Sequence, residues 1–236
     1  MNLNSKRLST YFKYQMTDDV GLEEVVDCGY VKKRDKDVIF TSHDWVLMEI
    51  YTNIQFIKGF HLVNLLSSND LMYFLKNSYF KCAIYFIAVR SYLENVESMT
   101  FPFNVDVFPE EISQVSSYNP ILLNRVRCRL ISKFIDFRLT QEELLLSVAI
   151  IFCDPYASGL SKDAQNVISQ YQNIYTSTLM RLCFQTKQNS GPERFANILS
   201  LSQTLTKTIE ELSYVVELFK LHQPGLPMRK LVKDSF

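Results

Sequence analysis

Cys82-Ala-Ile-Tyr-Phe-Ile-Ala-Val89 carries no polar side on any helical face. A helix that is apolar all round has to be covered on every side, whereas a helix in a two-layer bundle keeps one face in water. The run therefore belongs in the middle of three layers, and the predicted fold is an all-α, three-layer antiparallel helical sandwich. Outward from it, Arg90 closes the apolar stretch, and Thr100-Phe-Pro-Phe-Asn-Val-Asp-Val-Phe108 alternates aromatic or branched residues with polar ones around a Pro. That segment, Met99 to Pro109, is the one place where a short β-hairpin is expected. The chain has 236 residues with 6 Gly and 7 Pro, too few turn formers for an all-β sandwich. Glycines and prolines divide it into long stretches, 30–58, 60–101, 121–154, 160–190 and 193–223, each able to hold one or two helices.

In the last stretch Ile198, Leu205, Leu212 and Phe219 recur at heptad spacing, with Leu201 and Val215 between them and Thr208 as the break. Two readings stay open: a stripe facing the core, or a helix lying in a dimer interface. The first 39 residues are weakly patterned, a loop plus a first helix, and Lys32-Lys-Arg-Asp-Lys-Asp37 is read as a solvated loop. Residues 40–236 form the main domain.

Lys and Arg number 25, as do Asp and Glu. That balance gives no electrostatic case for nucleic-acid contact by this chain. The start lacks the apolar core of a secretory signal, and Cys28, Cys82, Cys128, Cys153 and Cys183 stand singly, so no metal site and no disulfide framework is expected in what reads as an intracellular protein. The apolar runs 82–89 and 144–153 are far shorter than the roughly 20 residues of a membrane span. His43, His61 and His222 lie outside metal-spaced or Ser/Asp-partnered contexts, and Asp18-Asp19 and Glu142-Glu143 read as helix-start or surface acids, so an enzyme is not expected.

Three motifs carry a family resemblance. Phe56-Ile-Lys-Gly-Phe-His-Leu-Val-Asn-Leu-Leu-Ser-Ser-Asn-Asp70-Leu-Met-Tyr-Phe-Leu-Lys76 resembles the signature of nuclear hormone receptor ligand-binding domains, with Leu71 where that pattern usually has Gln. Ala149-Ile-Ile-Phe-Cys-Asp-Pro155-Tyr-Ala-Ser-Gly159-Leu-Ser looks like the same family's helix ending and restart, and Gly191-Pro-Glu-Arg194-Phe195-Ala is similar to the entry into its long dimerisation helix. The texture resembles the nematode-expanded branch related to hepatocyte-nuclear-factor receptors. The chain is then an excised domain or comes from a receptor without a DNA-binding module; zinc and DNA binding are expected only of a parent protein.

The resemblance implies a nuclear, ligand-regulated transcription factor module. It would bind a lipophilic molecule, fatty-acid-like or sterol-like, need no cofactor, recruit Leu-x-x-Leu-Leu coregulator helices, and pair as a homo- or heterodimer with another receptor. The alternative is a ligand-independent scaffold with its pocket filled by Phe and Tyr. The implied groove comprises Lys58, Leu62, Leu71, Leu75 and Lys76 with Leu231, Val232 and Asp234 of an activation helix over 227–236. Asp234 stands for the usual Glu and Ser235 for an apolar residue, which implies a shorter reach and a weaker clamp. The implied ligand pocket comprises Ile54, Ile57, Ile84, Phe86, Ile87, Arg90, Phe101, Phe103 and His222, with Arg90 holding an acidic head group or bonded instead to nearby carbonyls. Glu143 and Arg194 would form a structural ion pair, Ile198, Leu201, Leu205, Leu212 and Val215 a dimer seam, and Lys81 departs from a common family Glu.

Overall fold

A computed structural model describes residues 3–27, 31–113, 119–225 and 228–235. Cys28, the Pro227 start and the Phe236 end of the expected activation helix lie outside them. The described elements are α1 (Leu3–Lys13), β1 (Tyr14–Gln15), α2 (Leu22–Asp27), β2 (Lys32–Lys33), α3 (Ser42–Lys58), α4 (Ser68–Leu93), β3 (Thr100–Phe101), β4 (Val105–Asp106), α5 (Glu110–Ser113), α6 (Pro120–Phe137), α7 (Gln141–Phe152), α8 (Lys162–Lys187), α9 (Gly191–Leu199), α10 (Leu201–His222) and α11 (Lys230–Lys233).

Helix starts follow local chemistry. Thr41 with Asp44 and Thr140 with Glu143 are capping boxes, Ser67 caps α4 through the Asp70 amide, and Asn119-Pro120 opens α6. The apolar run lies in α4, every residue from Cys82 to Val89 is buried, and α4 packs on α3, α6, α7 and α10. With α1 on α3 and α10 on α6, the outer helices enclose it from both sides. The chain is thus an all-α layered sandwich with α4 at its centre.

The expected hairpin is β3–β4, antiparallel with Thr100 opposite Asp106 and Phe101 opposite Val105. A second two-stranded ladder was not anticipated: Tyr14 pairs with Lys33 and Gln15 with Lys32, so the start of the basic-acidic patch is a strand, although its side chains are exposed. The N-terminal segment is also less loose than its pattern suggests. Arg7 and Glu49 form a buried ion pair at 2.8 Å, and Arg7 stacks on Phe86, tying α1 to the core.

The heptad seam spans two helices, interrupted at Ser200, whose backbone stays right-handed. Ile198, Leu201, Leu205, Thr208, Val215 and Phe219 are buried and Leu212 is half-buried. The reading of these residues as a dimer interface is therefore corrected in favour of the core-facing stripe: the seam is covered within one chain, by α6 and α4 along α10 and by α8 and α7 along α9. Thr208 fits because its hydroxyl donates to Thr204 O within the helix, which satisfies the buried polar group. Among the described residues no helix is long and apolar enough to cross a membrane.

Candidate functional site: a cavity and a groove that share the C-terminal helix

An apolar cavity of about 430 Å³ lies between the start of α3, α4, the β3–β4 hairpin, α6, α10 and the C-terminal segment. Ile84, Ile87, Phe101, Val126, Phe219 and Val232 supply apolar wall, and Ser42, His43, Asp44, Glu111 and Arg229 supply its polar groups. His43 Nε2 stands 3.7 Å from Glu111 Oε2. A volume of this order accepts a small lipophilic molecule.

Only Ile84, Ile87 and Phe101 of the expected pocket residues line this cavity. Ile54 and Ile57 are fully buried in α3 away from it, Phe103 is 83% exposed at the hairpin tip, and His222 is exposed at the end of α10 with Nδ1 2.8 Å from Leu218 O. Phe86 and Arg90 line a different cleft of about 350 Å³ with Arg7, Phe12 and Leu144. Arg90 Nη1 donates to Glu94 Oε2 at 2.9 Å, while its buried Nε and Nη2 have no protein partner, so no hairpin carbonyl satisfies it. The reason is helical geometry: Arg90 lies six residues beyond Ile84, well over one and a half turns, and leaves α4 on another face. The polar residues that do reach the cavity, His43 and Arg229, have no sequence signal beyond their proximity to a helix start and the chain end.

The C-terminal helix α11 is one wall of this cavity. Leu231 is fully buried, Val232 and Met228 line the cavity, and Tyr79 of α4 donates its hydroxyl to Leu231 O at 3.2 Å. Ser235 Oγ in turn donates to Tyr79 Oη at 2.9 Å. Burial pushes the Tyr79 phenol up to about 12, against the Ser235 hydrogen bond and helped by the nearby Asp234 charge.

On the other side of α11, Asp234 Oδ2 accepts from the Leu22 amide at 3.1 Å, and Lys58 Nζ donates to Val26 O at 2.6 Å. Asp234 and Lys58 therefore act at opposite ends of α2 rather than on each other. Leu62 and Leu75 are buried and Leu71 half-buried in the same apolar cluster as Leu22, Val25 and Leu231. Lys76 is exposed on α4, whereas Lys58 is bonded to the Val26 carbonyl. Asp19, read from sequence as a helix-start or surface acid, accepts from the Lys230 amide at 2.9 Å at the start of α11.

The signature residues further back hold this frame. Asp70 accepts from the Ser161 amide at 2.8 Å and from its hydroxyl at 3.0 Å, joining the first motif to the second. Hydrogen bonds from Ser67 and Ser161 hold the Asp70 carboxyl below the usual range. Between them Gly159 adopts φ +87°, and a Cβ there would fall 2.4 Å from the Tyr73 ring. Arg194 Nε and Nη2 reach Glu143 at 2.8 and 2.5 Å, and the same guanidinium donates to Phe137 O and Arg138 O where α6 ends in a left-handed residue. Although burial raises the Glu143 carboxyl, Arg194 and Thr140 hold it below its ordinary value. His61 Nδ1 lies 2.7 Å from Tyr171 Oη, and among the described residues no cluster of His, Cys, Asp and Glu could hold a metal ion.

The family model for the ligand-binding domain of nuclear hormone receptor matches residues 31–222. Nuclear hormone receptor family member nhr-27 of Caenorhabditis elegans is 36% identical over 94% of this chain and 63% of its own length. Members nhr-167 and nhr-9 of the same organism are each 32% identical over 99% and 98% of this chain and 69% of theirs. The chain thus spans about two thirds of the length of these relatives. With the family model covering most of it and the motif residues packed on one another, the chain belongs to the nuclear hormone receptor ligand-binding domain family.

Proposed function

We propose that this chain is the ligand-regulated module of a nuclear transcription factor. On this reading it takes a lipophilic small molecule into the 430 Å³ cavity and recruits coregulator helices to the groove completed by α11. The observation that carries the reading is the position of one short helix: Val232 forms cavity wall while Asp234, two residues on, caps a helix lying across the groove. A molecule that adds contacts to Met228 and Val232 only while α11 is docked shifts α11 toward the docked state. Lys58 and Asp234 suit a helix dipole, with the cation at its C-terminal carbonyls and the carboxylate at its N-terminal amides.

An acidic ligand would place its head group near Arg229, or at the ring N–H of His43, rather than at Arg90, since those are the nitrogen donors that line the cavity. The cavity weighs against the alternative of a scaffold with a solid aromatic core. Pairing with a second receptor, if made through α10, would use Tyr214 and Leu221, which are 57% and 75% exposed, instead of the buried seam. No cofactor is called for, and the DNA contact of a parent protein would lie in other residues.

The test is native mass spectrometry of the purified chain together with thermal melting in the presence of fatty acids and sterols. The reading expects a bound lipid or a ligand-dependent rise in Tm, and Ile84→Trp, which fills the cavity, should abolish either. Lipid retention unchanged by Ile84→Trp would place the ligand elsewhere. Absence of both bound lipid and Tm response across the panel would favour the scaffold.

A further inference from the structure

The groove that a partner helix would use is already covered by the chain's own residues 19–27. In α2 the sequence Leu22-Glu23-Glu24-Val25-Val26 sets apolar side chains at i, i+3 and i+4, the spacing by which a short amphipathic helix presents one face. Leu22 and Val25 are 5% and 0% exposed, Val26 is half-buried, and the two glutamates face solvent. Each end is held as a partner helix would be. Lys58 binds the Val26 carbonyl and Asp234 the Leu22 amide. Gly21 lets the carboxylate approach, since a Cβ there would stand 3.1 Å from Asp234 Oδ2. The contact is reciprocal, because Asp19 accepts from the Lys230 amide at the start of α11 while α11 caps α2.

We infer that residues 19–27 are an intramolecular stand-in for a partner helix, holding the groove shut until a Leu-x-x-Leu-Leu-like helix displaces them. The inference rests on the reading of the groove as a coregulator site and adds its regulation. Both ends of the clamp are engaged by this segment, so a partner has to compete for Lys58 and Asp234 rather than meet them free. Leucines at the second and third apolar positions would fill more of the trough than Val25 and Val26 do, which favours the outsider. The inside segment is favoured by its short tether and high effective concentration.

The experiment measures fluorescence anisotropy of a labelled Leu-x-x-Leu-Leu peptide on the full chain and on the Leu22→Ala/Val25→Ala double variant, with melting checked for both. The variant should bind at least tenfold more tightly, and an unlabelled peptide of residues 18–27 should compete on it. Equal, measurable affinity for parent and variant overturns the inference while leaving the groove reading intact. If neither binds, both fall. Should the double variant not fold, hydrogen exchange on the unaltered chain decides: saturating partner peptide should speed exchange of the amides in 22–27, and bound peptide with unchanged exchange there overturns the displacement.

Discussion

Replacing Tyr79 by Phe removes one hydroxyl from the only side chain of α4 shown bonded to α11 among the described residues. That hydroxyl donates to Leu231 O at 3.2 Å and accepts from Ser235 Oγ at 2.9 Å. Neither partner is orphaned by the change, because Ser235 Oγ also lies 3.0 Å from Leu231 O and can donate there. The cost is therefore about 1 kcal/mol, the net value of a neutral hydrogen bond, and not the larger penalty of a buried unsatisfied group. The docked fraction of α11 should fall by about fivefold relative to the undocked one. Burial of Leu231 contributes roughly 1.5 to 3 kcal/mol and keeps the helix docked in most molecules. Hydrogen exchange reads this directly at the amides of Lys233, Asp234 and Ser235, which bond within α11. Their exchange should quicken about fivefold in Tyr79→Phe, with α4 itself unchanged. Unchanged exchange in α11, or equal acceleration in both helices, would refute the role of Tyr79 as the latch.

The buried Glu143–Arg194 pair predicts strong non-additivity. Arg194→Met alone leaves a carboxylate whose side chain is 2% exposed without its cation, costing about 3 kcal/mol or more, whereas Glu143→Leu/Arg194→Met should recover a good part of that in chemical denaturation. Gly159→Ala, forced to keep φ +87° against the Tyr73 ring, should lower stability by about 1 to 3 kcal/mol without altering helix content by circular dichroism. The Tyr79 phenol, raised to about 12 in the fold against 10 in the free residue, releases its proton more readily when unfolded. Its contribution is complete below pH 10 and is lost as pH climbs from about 10 to 12, so stability should decline across that window and decline less steeply in Tyr79→Phe.

Periodicity and composition made the central position of α4 legible, since nothing but a covered site accommodates eight consecutive residues without a polar face. Family resemblance puts Asp70, Gly159, Glu143 and Arg194 in the frame, although Asp70 meets Ser161 and Glu143 meets Arg194 from far along the chain, pairings that spacing alone does not give. The seam over 198–219 could not be assigned from spacing, because a heptad pattern states that a face is covered and not whether the cover is the same chain. That Arg90, Phe86 and Phe103 lie off the main cavity cannot be read from spacing, because which side of the central helix and hairpin faces the cavity depends on how α6 and α10 pack, a long-range property. The first helix expected in the N-terminal segment is α1, but α2 and the β1–β2 ladder leave no sequence signal, because a six-residue helix and two two-residue strands are too short to set up a period. The segment's partners, Glu49 for Arg7 and Lys230 for Asp19, are remote in sequence.

The internal occupant changes what a clamp substitution should do. Lys58→Ala removes the cation from an outside helix, but it equally removes it from Val26 O, and the two losses cancel in the competition between them. With residues 22–26 intact, Lys58→Ala should therefore leave the affinity for a Leu-x-x-Leu-Leu peptide nearly unchanged. In the Leu22→Ala/Val25→Ala background the inside competitor is gone and the full dipole contact, about 0.3 to 1 kcal/mol, appears as a loss of roughly twofold to fivefold. The same logic applies to Asp234→Asn, whose carboxylate serves the Leu22 amide. A double-mutant cycle between Lys58 and the Leu22/Val25 pair measures this coupling. A Lys58→Ala loss of the same size in both backgrounds would mean that the outside helix and α2 do not compete for this cation, and the groove would have to bind its partner beside α2 instead of in its place.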